Sequence, residues 1–345
     1  MKRRQFLELS LVSLASGGVS TSQSNASDRS GTLAHWSSHP SATLLKPRTP
    51  QTEAEMGYWL SNMIVDHRYS VAEVSLAMGL SPERIETEIA RHRIDTSQRR
   101  FVSPGASLRV LPYPGGRHPR IGFIEGAIDP QRDTKVSVFT PWDAESYVVV
   151  DAPEAIFSNL GLLYLAHTDI ATIWEEQGIV LAPSEWSRHS NGVLTSDRRL
   201  PNGLRFGVEV RPSPEGVRFY GWIINGSTQL LEEVRFQNCL LLKGAAGFQR
   251  QVGNLRFMQA PYIAAPYEPA LDRWVITAWD PNGVTWGNAA CPCIHSDPHP
   301  PNCAPGDSIV VRGWLSFYQG REISREIARI DSLRWRDASF AAPQV

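Results

Sequence analysis

The chain has 345 residues, with 34 Lys and Arg against 35 Asp and Glu, a formal net charge of −1 and 42% hydrophobic residues. That balance excludes a polybasic nucleic-acid tail, an acidic low-complexity protein and a disorder-dominated chain. Gly 26, Pro 25 and Trp 11 point instead to turn-rich β structure, and four cysteines are too few for a disulfide scaffold.

In chain order, Arg3-Arg4-Gln5-Phe6-Leu7 precedes a modest apolar stretch from Leu9 to Val19. This resembles a twin-arginine export signal, which implies a signal over residues 1–30 and an exported, periplasmic or extracellular protein. Residues 31–50 read as a Ser/Thr/Pro linker. No later window offers about eighteen uninterrupted apolar residues, so no integral membrane span is expected.

Residues 51–100 carry helical periodicity. Met56, Trp59, Leu60, Met63 and Ile64 fall on one face, and Ser70 with Glu73 forms a capping box. Gly79 ends that second helix, and Ser81-Pro82 opens a third with Ile85 and Ile89 on one side. The stretch Val71 to Ser81 resembles a helix-turn-helix. Its third helix holds Glu83, Glu86 and Glu88 against Arg84 and Arg91, however, so its charge is not that of a recognition helix. The expectation is a small packing module and no nucleic-acid partner.

From residue 101 to 335 the pattern is strands broken by turns: Val136–Phe139, Tyr147–Val150, Leu204–Val210, Val217–Ile224, Leu230–Leu242, Trp274–Trp279 and Ile309–Tyr318. A closing helix is expected over Arg321–Ile330. Strands in succession without intervening helices predict a mainly β fold, an antiparallel β-sandwich carrying the small N-terminal helical module. No fixed-period repeat emerges, so propellers and solenoids are excluded.

Three segments carry a family resemblance: Leu200 to Gly207, Gly221 to Ser227 and Arg312 to Tyr318 look like the strand–turn grammar of galactose-mutarotase-like β-supersandwiches. The Gly116–Phe123 and Cys291–Pro298 segments also resemble those of an uncharacterised family of exported bacterial proteins. The first resemblance implies a carbohydrate ligand, a glycan or small sugar, but the sugar-epimerase catalytic signature has no clear match. The second brings no activity with it.

Three constellations could carry chemistry. The densest runs from Cys291 to Cys303. In an extended chain Cys291, Cys293, His295, Asp297 and His299 share one face, and thiolates with imidazole suit a zinc or copper ion. A metal set of Cys291, Cys293, His295, His299 and Cys303 competes with a disulfide from Cys303 to Cys291 or Cys293. Cys239, in its strand, reads as a small buried residue. The second constellation sets His167 near Trp174 and Glu185 in sequence; for a sugar, His167 or His295 would act as base or acid with Glu185 or Asp297 as partner, and Trp174 and Trp286 would be flat platforms. In the third, Gly115-Gly116 allows close backbone approach while Arg117, Arg120 and Arg132 could clamp a carboxylate or sulfate, with His118 among the substrate-binding candidates. The bland alternatives are strand-end histidines, core tryptophans and arginines paired within a connector. No G-x-S-x-G elbow, H-E-x-x-H zincin helix or EF-hand loop is present. These readings define an exported carbohydrate-active or carbohydrate-binding protein, the alternative being a metal-binding or structural protein centred on residues 291–303.

Overall fold

The helical region begins as its capping residues dictate. In the computed structural model, which describes residues 47–114, 134–166, 171–249, 256–268, 270–288, 292–340 and 342–343, Thr52 and Glu55 form a capping box that opens helix α1 (Glu53–Leu60). A π-helical turn over Ser61–Asp66 follows. The Ser70–Glu73 box opens α2 (Val71–Met78), which stops at Gly79 in a left-handed conformation, and Ser81-Pro82 opens α3 (Pro82–Arg91). Met56, Leu60, Met63, Val74, Met78 and Ile85 close into the module's own small core.

Two antiparallel sheets follow, so the predicted β-sandwich is the observed fold. The first has strands in the order β1 (Val110–Pro112), β2 (Lys135–Phe139), β3 (Tyr147–Ser158), β9 (Arg235–Leu241), β14 (Cys293–Pro298) and β13 (Asn282–Asn288), with β4 (Gly161–Leu165) on the second half of β3. The second runs β10 (Phe257–Gln259), β11 (Tyr262–Pro266), β12 (Arg273–Asp280), β15 (Ser308–Gln319), β8 (Val217–Asn225), β7 (Leu204–Pro212), β6 (Leu194–Arg199) and β5 (Ser187–Arg188). Their inner faces interdigitate in one core that includes Val136, Val148, Val150, Phe206, Phe219, Ile223, Val275, Trp279, Ile294 and Leu315.

Both sheets are also covered on their outer faces, which is why several strands read as continuous apolar runs rather than clean alternation. On the second sheet, Ile327 and Ile330 of α4 (Ile323–Ser332), with Trp335, pack on Tyr262, Trp274, Ile276 and Trp314. On the first, the helical module docks by polar contacts. His67, fully buried, sets Nδ1 2.9 Å from the Asn62 carbonyl and Nε2 2.7 Å from Ser137 Oγ, with the rings of Tyr69, Tyr113, Phe139 and Tyr147 around it. Asp66, 3% exposed, accepts from Arg109 at 2.5 Å and from Arg100 at 3.0 Å, and the Arg109 guanidinium lies 3.6 Å over the Phe139 ring. The described residues therefore all belong to one compact unit.

Three elements depart from the sequence reading. The strand predicted over Leu230–Leu242 starts only at Arg235, because Leu231 is taken by an isolated antiparallel bridge to Cys303. The Tyr147 strand runs on to Ser158, through a register shift between Asp151 and Ala155. The segment after Cys291, outside the predicted strands, contains strand β14, buried along its whole length.

Candidate functional site

A strand in an antiparallel sheet places directly opposed residues on the same face. On the first sheet Lys135 pairs with Asp151, Asp151 with Cys239, and Trp286 with His295. The β9–β14 register pairs Leu240 with Ile294, and its next step aligns Cys239 with His295. Lys135, Asp151, Cys239, His295 and Trp286 thus form one row across five strands on the outer face. The inner face at the same level is apolar, with Leu240 and Ile294 in the core.

This row brings buried ionisable groups together on the outer face. Lys135 and Asp151 form an ion pair of 3.0 Å, each no more than 5% exposed at its side chain. Cys293, two residues before His295 and on the same face, brings Sγ to 3.3 Å from His295 Nε2. The other ring nitrogen, Nδ1, lies 3.8 Å from Glu154 Oε2 and 3.9 Å from Asp297 Oδ1. Both carboxyls are fixed by further bonds: Gln237 Nε2 donates to Glu154 at 2.7 Å, and Asp297 accepts from Trp286 Nε1 at 2.7 Å and from the Asn238 backbone N–H at 2.9 Å. The Trp286 indole stacks on the His295 imidazole at 3.8 Å and 9°. Burial pushes the Asp297 carboxyl up to about 7, against the lowering pull of the Trp286 and Asn238 bonds.

Beyond Asp297 the face opens into a cavity of about 230 Å³ lined by Phe157, Arg235, Gln237, Gly283, Val284, Asp297, Pro298 and His299. Arg235 lies 4.8 Å over the Phe157 ring, so an exposed guanidinium is held at the cleft wall. At Gly283 a Cβ would come within 2.7 Å of His299 Cβ, a close approach that only glycine allows.

The predicted site residues divide accordingly. His295 and Asp297 meet as the alternation required, with Cys293 beside them and His299, exposed, at the cleft mouth. Trp286 does not present a free face to a ligand on the His295 side, since it stacks on the imidazole. Cys303 leaves the predicted metal set: its backbone exchanges both hydrogen bonds with Leu231, its carbonyl accepts from buried Asn225 Nδ2 at 2.8 Å, and its thiol is free. The disulfide predicted from Cys303 is accordingly not formed. Cys239, expected as packing, takes that place beside Cys293 and His295. Glu185 is exposed and pairs with Arg48 at 2.8 Å on the loop entering β5, the edge of the second sheet, and does not line the cleft. Trp174 is buried, donates to the Leu163 carbonyl at 2.7 Å and borders a shallower depression with Leu160, Asn202 and Gln229, so it is largely a packing residue. His167, Arg117, His118, Arg120, Arg132 and Cys291 lie outside the described residues. Sequence reasoning missed Glu154, Lys135, Asp151, Gln237 and Arg235; their polarity within apolar strands was the available signal.

No family model matches the chain, and no curated protein does. Among solved structures, a putative kojibiose phosphorylase from human microbiome aligns at a TM-score of 0.33 and 8% identity, over 69% of this chain and 37% of that one. Slr1438 protein from Synechocystis sp. PCC 6803 aligns at a TM-score of 0.32 and 11% identity, over 55% of this chain and 90% of that one. The chain thus spans little more than a third of the phosphorylase. Among the described residues no helix is long and apolar enough to cross a membrane.

Proposed function

We propose that the chain is an exported, galactose-mutarotase-like sandwich protein that takes a sugar or uronate-containing glycan in the cleft beside Asp297. It is then a carbohydrate-binding or carbohydrate-active protein of the periplasm or exterior. The observation that carries this reading is the cleft lining. An exposed Arg235 guanidinium held over Phe157 stands beside the Gln237 amide and the Asp297 carboxyl, with Val284 and Pro298 as apolar surface. Alternating polar and apolar patches match a pyranose, whose hydroxyls need donors and acceptors while its C–H faces need apolar contact. A planar guanidinium at the wall would receive a uronate carboxylate with two parallel hydrogen bonds. At about 230 Å³ the cavity is below the ~300–1,000 Å³ typical of small-molecule pockets, so it would hold one ring rather than a chain. Glu154 and Asp297, both beside the His295 imidazole, are the groups nearest to hand for proton transfer if the ligand is turned over.

Isothermal titration of the purified protein with glucuronate- and galacturonate-containing oligosaccharides, and with their neutral counterparts, tests the reading. Binding of the acidic sugars, weakened about tenfold or more in Arg235→Ala, is expected for a lost charge-assisted pair worth roughly 1.5–3 kcal/mol. No binding by any sugar, or equal binding by the variant, overturns it.

A further inference from the structure

The Cys239 Sγ, Cys293 Sγ and a His295 ring nitrogen lie within 4.8 Å of one another, and all three residues are buried. Around a tetrahedral zinc ion, with bonds of about 2.3 Å to sulfur and 2.0–2.1 Å to nitrogen, donor atoms stand roughly 3.5–3.8 Å apart. The Cys293 Sγ to His295 Nε2 separation of 3.3 Å is already close to that, and the other separations, at most 4.8 Å, would close to it with rotamer shifts of about an ångström. The sheet itself holds the three donors: Cys293 and His295 are alternate residues of β14, and Cys239 lies across from His295 on β9, so none depends on a loop.

We infer that Cys239, Cys293 and His295 bind a thiophilic cation, zinc or copper(I), through two sulfurs and the Nε2 nitrogen. Two thiolates and an imidazole select these ions over the hard cations magnesium and calcium, which take oxygen donors. Nε2 faces the Cys293 sulfur, while Nδ1 lies 3.8 Å from Glu154 and 3.9 Å from Asp297, so a small turn of the ring would set it on a carboxylate, the partner that orients a ligating histidine. Gln237 fixes Glu154 in turn, and Trp286 covers the ring. The metal site adjoins the sugar cleft, with Asp297 and Gln237 bordering both, but takes none of the cleft-lining groups Arg235, Gln237, Asp297 or His299 as ligands.

The test is metal analysis of the full chain purified without chelator under reducing conditions, followed by cobalt(II) titration after metal removal. Expected are close to one zinc or copper per chain and, with cobalt, a sulfur-to-metal charge-transfer band with the visible bands of a tetrahedral site. Cys239→Ser and Cys293→Ser should each abolish the charge-transfer band or shift it to one-sulfur intensity. Glu154→Gln should weaken binding about tenfold, and Cys303→Ser should leave stoichiometry unchanged. If a ligand variant fails to fold, the cobalt spectrum of the unmodified chain still decides. A reduced, folded chain that takes up neither metal overturns the assignment, as does full two-sulfur cobalt binding in the Cys239→Ser, Cys293→Ser double variant. A Cys239–Cys293 disulfide that persists under those reducing conditions also overturns it. Sugar binding could fail while the metal result stands, or the reverse.

Discussion

Replacing Asp66 by Ala should show that the helical module is a docked part of the sandwich rather than an appendage. Asp66 is 3% exposed and faces two arginines, Arg109 at 2.5 Å and Arg100 at 3.0 Å. Arg109 is itself held over Phe139 and donates to the Ala144 carbonyl at 3.1 Å, so it cannot simply swing into water when its carboxylate is removed. The variant therefore strands a guanidinium that is mostly buried, and removing one partner of a buried pair costs about 3–5 kcal/mol. Arg100 is more exposed and should add little, in the range of ~0–1 kcal/mol for surface pairs. Urea denaturation followed by both far-ultraviolet dichroism and tryptophan fluorescence is the assay. A single transition with the same m-value and a much lower midpoint is expected. In the cycle with Arg109→Ala, a coupling of about 1–3 kcal/mol should appear, the size found for residues in one ion-pair network. Coupling below about 0.5 kcal/mol, or two transitions of which only one moves, would show that the module is not docked through Asp66.

Three further substitutions probe other parts of the account. Asn225→Ala removes a fully buried amide that donates to the Gln229 and Cys303 carbonyls and accepts from Ser227; a loss of about 2–4 kcal/mol in thermal or chemical denaturation is expected, since buried carbonyls are left unsatisfied. Gly207→Ala drives a Cβ into the Ser196 carbonyl and the Trp222 ring, neither of which can move freely, so a drop of about 1–3 kcal/mol or more should appear in the same melts. Trp286→Phe keeps a ring over His295 but deletes the N–H that holds Asp297, and should cost about 1.5–3 kcal/mol while leaving the fold's dichroism spectrum intact.

Much of the architecture could be read from local pattern. The second and third helices appear where the Ser70 and Ser81 signals put them, the first starts ahead of the periodic run from Met56, and the β7–β8 hairpin turns at Ser213–Gly216. Alternation within residues 293–297 correctly placed Cys293, His295 and Asp297 on one face. What local pattern could not supply was register between strands distant in sequence. Cys239 looks like any small residue in the apolar run Phe236 to Leu242, and only the pairing of β9 with β3 and β14 brings Asp151, Cys293 and His295 to it. Glu154 lies in the β3 register shift, a position that no periodicity marks. Cys303, eight residues after His295, looked like a neighbour of the cluster, but the Leu231 bridge and the Asn225 amide hold it elsewhere.

The proposed ligand surface is the outer face of the first sheet, in the cleft beside Asp297. A crystal structure of the chain soaked with a uronate-containing oligosaccharide tests it most directly. Density for a sugar ring is expected between Arg235, Gln237 and Asp297, its carboxylate on the Arg235 guanidinium. A sugar ordered instead in the depression beside Leu160, Trp174 and Asn202, with the Arg235 cleft empty, would contradict it.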